Sequence, residues 1–189
     1  MLRSRLTLSF GRSLELALLV GEGAPEGSQA LVEPQDVNLI LGEVGLLDPA
    51  NADPHEWARR AADEPVRRPG SIVVTARRAR PLRMQAVVYD FARTPHAREA
   101  EVFEALLSCF EEARARRLER LALQPVGTAH LGVEPETFLR LLLQTCYGSA
   151  ELGTSLKHVS LVLPSREELK RYEDLLRTLV GERATAGQG

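Results

Sequence analysis

The sequence predicts an α/β domain built on a mixed, mostly parallel sheet with helices on both faces. Three observations predict it. After Gly70, apolar runs of strand length alternate with longer segments whose apolar residues recur every three or four positions. Strand–helix–strand repetition needs crossover connections, and these join parallel neighbours. The first twenty residues instead read as two strands around a tight turn, which adds an antiparallel hairpin.

Each element follows from its own residues. Residues 6–10 alternate apolar and polar, Gly11-Arg12 make the turn, and residues 14–20 return. Residues 21–28 are rich in Gly and Pro and form a loop, and Ala30-Leu31-Val32 is a short buried strand. From 33 to 69 the chain is broken by Gly42, Gly45, Pro49 and Pro54, which excludes long regular structure. A short helix is expected over 55–62, with Asp53 and Pro54 as N-cap and first helical residue and Trp57 and Ala61 on one face; Trp57 reads as a core or lid anchor rather than a base-stacking platform.

Residues 71–75 form a strand, residues 77–83 a basic turn, and residues 85–91 a second strand. Arg77, Arg78, Arg80 and Arg83 read as a solvated turn. Thr94-Pro95 is expected to open a helix carrying Val102, Phe103, Leu106, Leu107 and Phe110 inward, with a charged far end at Glu111, Glu112, Arg114, Arg116 and Arg117. A strand over 121–126 leads into the loop 127–132. A helix with Phe138, Leu139, Leu142, Leu143 and Cys146 follows, and then a last strand over 157–163. Ser165 and Glu168 have capping-box spacing, ahead of a helix with Leu169, Tyr172, Leu176 and Leu179 inward.

Length and composition bound the function. The 189 residues suit one domain, read as 1–182 with a flexible tail over 183–189. A net charge of -2 gives no bulk attraction for nucleic acid, so no nucleic-acid partner is expected. No apolar run reaches the roughly 18 residues of a membrane span, and the N-terminus lacks a signal-peptide core. The expected location is cytoplasmic, away from membranes. Of the 24 basic residues only Lys157 and Lys170 are lysines, a bias that points to a GC-rich bacterial genome. Cys109 and Cys146 are far apart, with no metal-ligand spacing around them. They are expected to be reduced and buried. Neither a metal nor a cofactor is expected.

One loop carries the chemistry. Gly127-Thr128-Ala129-His130-Leu131-Gly132 lies between a strand and a helix. In open α/β sheets ligands bind beyond the carboxyl ends of the strands. Glycine lets the backbone approach closely, and free N–H groups at a helix start attract anions. The loop therefore suits a phosphate, with a hydroxyl from Thr128, although two glycines there also suit a plain turn. His130 either points at the phosphate or sits exposed in the turn. His55, His96 and His158 have no triad-like or metal-like neighbours in sequence.

The stretch Leu121-Ala122-Leu123-Gln124-Pro125-Val126-Gly127-Thr128-Ala129-His130-Leu131-Gly132-Val133-Glu134-Pro135-Glu136 resembles a macro-domain segment. That segment reads apolar strand, Pro, small apolar, Gly-Thr-Gly, two residues, Gly, then Pro-x-Glu opening a helix. Pro69-Gly70-Ser71-Ile72-Val73-Val74-Thr75, Arg80-Pro81-Leu82 and Val87-Val88-Tyr89 are similar to the family's paired strands around a basic turn. Val159-Ser160-Leu161-Val162-Leu163 before an acidic amphipathic helix, and Gly21-Glu22 ahead of Gln29-Ala30-Leu31-Val32, extend the likeness from residue 14 to residue 180.

The resemblance implies a three-layer α/β/α sandwich that binds ADP-ribose. It implies that Glu22 accepts from the adenine amino group and that Gly127, Thr128, Ala129, His130, Leu131 and Gly132 cradle the diphosphate. The terminal ribose would sit between this loop and an earlier one, near Asp36.

This chain also departs from the pattern. The family's Asn-Ala-Ala-Asn reads Glu33-Pro34-Gln35-Asp36, and its Gly-Gly-Gly run is replaced by Leu41-Gly42-Glu43-Val44-Gly45. Ala129 stands at the middle Gly of the diphosphate loop, where its methyl opposes positive φ or close approach. Leu131 stands at the aromatic that packs on the ribose. Glu33, Asp36 and Glu43 bring anions near an anionic ligand. The residues on which hydrolysis relies are unmatched, so a non-catalytic binder of ADP-ribose or a related nucleotide is expected. The alternatives are a degenerate domain serving a protein partner and an assembly domain like that of leucine aminopeptidases. Gly127→Glu is expected to abolish binding without unfolding the chain.

Overall fold

A computed structural model describes residues 2–11, 14–41, 59, 65–75 and 81–186. Its strands are β1 (Leu2–Phe10), β2 (Leu14–Val20), β3 (Ala30–Asp36), β4 (Ile72–Thr75), β5 (Leu82–Tyr89), β6 (Arg120–Leu123) and β7 (His158–Leu163). Its helices are α1 (Glu99–Ala115), α2 (Pro135–Glu151) and α3 (Arg166–Ala186). The strands form one sheet in the order β1-β2-β7-β6-β3-β5-β4. The neighbours from β2 to β5 run parallel, and the edge strands β1 and β4 pair antiparallel. This is the mixed, mostly parallel α/β sheet that the sequence predicts.

Register explains the core. Leu16 and Leu18 lie beside Val159 and Leu161, which lie beside Leu121 and Leu123. Side chains at alternate positions share a face, so these rows make one continuous apolar surface. Val102, Leu106 and Phe110 of α1, Phe138 and Leu142 of α2, and Tyr172 and Leu176 of α3 cover it. Leu31, Ala122 and Val162 form a smaller cluster on the other face, with Ala24 of the β2–β3 loop against it. Cys109 and Cys146 are buried and not joined. Burial pushes the Cys109 thiol up to about 12 and raises that of Cys146 too, so both stay protonated and inert.

Several boundaries differ from expectation for local reasons. β3 continues past Val32 through Pro34 to Asp36. The Val32 carbonyl accepts from Gln124 N–H, so alternate positions of β3 turn toward β6. Two residues on, Pro34 lies beyond the end of β6, where no ladder bond is lost. β6 in turn stops at Leu123 rather than Val126, because Pro125 has no N–H to offer. Leu82 and Arg83, assigned from sequence to a basic turn, already belong to β5.

α1 opens at Glu99, not at Thr94-Pro95. The Thr94–Pro95 peptide is cis, and the segment before α1 folds back, with Asp90 N–H donating to the His96 carbonyl. The Ser165 hydroxyl accepts from Glu168 N–H, as a cap at the start of α3. α3 continues to Ala186, into the expected tail. The expected helix over 55–62, with Trp57, lies outside the described residues apart from Arg59, which is helical. Arg77, Arg78, Arg80 and Glu43 also lie outside them. No helix among the described residues is long and apolar enough to cross a membrane.

Candidate functional site

The loop between β6 and α2 is closed on itself. Val133 N–H donates to the Gly127 carbonyl at 2.8 Å, and Gly132 N–H to the Ala129 carbonyl at 3.0 Å. A Cβ on Gly132 would overlap the Gly127 oxygen, so only glycine allows the two ends to meet. Gly127 has φ +77, and a Cβ there would strike Cγ2 of Val102 on α1. The two glycines recognised in the sequence are thus required by the loop's own geometry.

Ala129 stands where the family's pattern has a glycine, its methyl opposes positive φ, and Ala129 is not left-handed. His130 (φ 53) and Leu131 (φ 56) are. Two consecutive left-handed residues with side chains are strained and persist only where surroundings over-determine them. Here an aromatic cluster holds His130, and a backbone hydrogen bond holds Leu131. His130 meets Tyr89 edge-on at 5.4 Å and Phe91 at 5.7 Å, Tyr89 stacks on Phe91, and His96 packs on Phe91 at 5.2 Å. His96 N–H donates to the Leu131 carbonyl, and His96 Nδ1 lies 2.5 Å from the Arg93 carbonyl. His130 is therefore a half-buried packing residue on this cluster.

Two buried phenols pin the loop from below. Ala129 N–H donates to Oη of Tyr89 at 3.0 Å, so this N–H is already committed. The Tyr172 phenol on α3 hydrogen-bonds the Thr128 hydroxyl. Burial pushes both phenols up to about 12, against the lowering effect of those hydrogen bonds. A phenol whose folded pKa lies above the unfolded value stabilises the fold fully below about pH 10. That contribution is lost as pH rises from 10 toward 12. Tyr89→Phe and Tyr172→Phe are each expected to flatten the fall in melting temperature over that window in an alkaline thermal-melt series. An unchanged slope in both would contradict the assignment.

A cleft of about 570 Å³ opens at the carboxyl ends of β2, β6 and β7, within the size range of ligand sites. Gly21 and Glu22 line it after β2, Gln124, Pro125, Thr128 and Ala129 after β6, and Pro164 after β7. Glu168, Arg171 and Tyr172 of α3 close one side, and Pro135 marks the N-terminus of α2 at the cleft. Arg171 pairs with Glu168 at 3.5 Å.

No protein-family model and no curated protein matches the sequence. Solved structures do resemble the fold. The Oceanobacillus iheyensis macrodomain with ADP gives a TM-score of 0.72 at 18% identity, over 96% of this chain and 100% of that one. The Trypanosoma brucei macrodomain in complex with ADP-ribose gives 0.60 at 20% identity, over 85% of this chain and 68% of that one. The chain has the macrodomain fold.

Within this macrodomain fold the expected site residues divide. Glu22, Thr128 and Ala129 line the cleft. Gly127 and Gly132 shape the loop behind it, while His130 packs on the aromatics and Leu131 points outward, 72% exposed. Asp36 stands apart from the cleft. It is 1% exposed, and its carboxylate accepts from the N–H groups of Asn38 at 2.9 Å, Ile40 at 2.7 Å and Leu41 at 2.8 Å. That shell folds the turn after β3 and leaves little of the carboxylate for a ligand. Glu33 is not a bare anion either, because the Arg83 guanidinium grips it at 2.7 and 2.8 Å. Gln124, Glu168, Arg171 and Tyr172 were not singled out as site residues from sequence. Tyr172 read correctly as an inward residue of α3, but nothing in one helix tells which strand ends it faces.

Proposed function

We propose that this chain binds ADP-ribose or a related nucleotide diphosphate in the cleft at the carboxyl edge of β2, β6 and β7, and does not hydrolyse it. The observation that carries the reading is the meeting of Gly21-Glu22, Thr128-Ala129 and the N-terminus of α2 around one cleft of about 570 Å³. The Glu22 carboxylate, exposed at the cleft, is the acceptor for an adenine amino group. The diphosphate lies along Thr128-Ala129 toward the α2 N-terminus, where the helix dipole favours negative charge. Structural neighbours described with ADP and with ADP-ribose support the ligand class. The three N–H groups that occupy Asp36 support binding over turnover, since that carboxylate already has a structural task.

Calorimetric titration with ADP-ribose, ADP and AMP tests this. Binding of ADP-ribose is expected at micromolar level, about 8 kcal/mol, with AMP weaker. Heats equal to dilution at millimolar ligand would sink the proposal and leave the protein-interaction reading in its place.

A further inference from the structure

Among the described residues, the cleft is lined by two carboxylates, Glu22 and Glu168, and by one cation, Arg171. The two carboxylates oppose a diphosphate, and Arg171 is the charged side chain there that attracts one. Part of the loop backbone is also unavailable, because the N–H groups of Ala129 and Gly132 are bonded within the fold. The neighbours of Arg171 set its place. Tyr172, next in the chain, is buried and tied to Thr128, which fixes this turn of α3 against the loop. Arg171 itself faces the cleft with a side chain 53% exposed, held by Glu168 one turn earlier at 3.5 Å.

We propose that Arg171 makes the cleft select phosphorylated adenine nucleotides over the uncharged nucleoside, and that Glu168 competes with the phosphate for it. This rests on the nucleotide reading above. A guanidinium matches phosphate oxygens with two parallel N–H bonds, which a backbone N–H cannot do. The ion pair with Glu168 is half exposed and long, so a phosphate with two strong acceptor oxygens displaces it.

Titration with ADP and with adenosine separates the roles, using wild type, Arg171→Gln and Glu168→Gln. Arg171→Gln is expected to weaken ADP about tenfold, the scale of one charge-assisted hydrogen bond, and to leave adenosine within about twofold. Glu168→Gln is expected to strengthen ADP about two- to fivefold, with adenosine unchanged, because it removes both a competitor and a nearby anion. Both side chains are on the surface of α3, so melting temperatures should hold. Equal weakening of both ligands by Arg171→Gln, or weaker ADP binding by Glu168→Gln, overturns the selectivity role and leaves the nucleotide reading standing. A wild-type protein that binds neither ligand overturns both.

Discussion

Gly127→Glu is expected to lower the stability of the fold by roughly 2–5 kcal/mol, combining the strain of a left-handed residue with a side chain and the overpacking of a filled site. This reverses the expectation from sequence that the substitution empties the pocket and spares the fold. Gly127 sits at φ +77, and its missing Cβ leaves the room that Val102 of α1 fills. Val102 is fully buried, so the clash cannot be relieved into solvent. Because ordinary domains have only about 5–15 kcal/mol in hand, a large share of the chain would be unfolded near physiological temperature. Urea unfolding reads the effect directly. A second variant isolates its cause. In a Val102→Ala background, Gly127→Ala should be milder, approaching the roughly 1–2 kcal/mol of the left-handed φ alone. A Gly127→Ala cost that is small, or identical in both backgrounds, would mean that Val102 does not hold this position.

How far the sequence reached follows from what each residue responds to. The pattern of residue types is a local signal, and it located strands β1 to β7 and helices α1, α2 and α3. Boundaries depend on neighbours that are distant in sequence. β3 extends through Pro34 because β6 has already ended beside it, and α1 starts late because residues 90–97 fold onto the loop at Leu131. The loop glycines were legible because their constraint is covalent and steric. The aromatic cluster of Tyr89, Phe91, His96 and His130 was not, because it joins side chains from the end of β5, the loop after it and the loop after β6. Asp36 was assigned to a ligand by position in a motif. Its charge is instead satisfied within five residues of itself, an arrangement that side-chain identity alone does not reveal. Arg171 and Glu168 are not legible as cleft residues from sequence because α3 lies far along the chain from Glu22, and only the sheet order β2-β7-β6 brings them together.

Ala129→Glu is the substitution expected to remove nucleotide binding while leaving the fold intact. Ala129 lines the cleft, is exposed, and does not have a left-handed backbone, so a longer side chain meets neither strain nor packing. Its bond to Tyr89 uses the backbone N–H and survives the change. Stability should therefore stay within about 0.5 kcal/mol, as for surface substitutions away from special features. Binding should respond strongly. A third carboxylate beside Glu22 and Glu168 would face a diphosphate with Arg171 as the one cation lining the cleft among the described residues. Like charges brought together at a binding surface cost several kcal/mol, which predicts a loss of affinity on the order of a hundredfold or more. Ala129→Gln, of similar size and no charge, is expected to lose far less. Parallel melting curves and calorimetric titrations with ADP-ribose read both quantities on the same samples. If Ala129→Glu binds ADP-ribose as wild type does, the diphosphate does not lie along Thr128-Ala129, and the ligand must be sought elsewhere on the sheet edge. If Ala129→Gln loses as much as Ala129→Glu, size and not charge governs entry to the cleft, and the loop excludes ligands by shape.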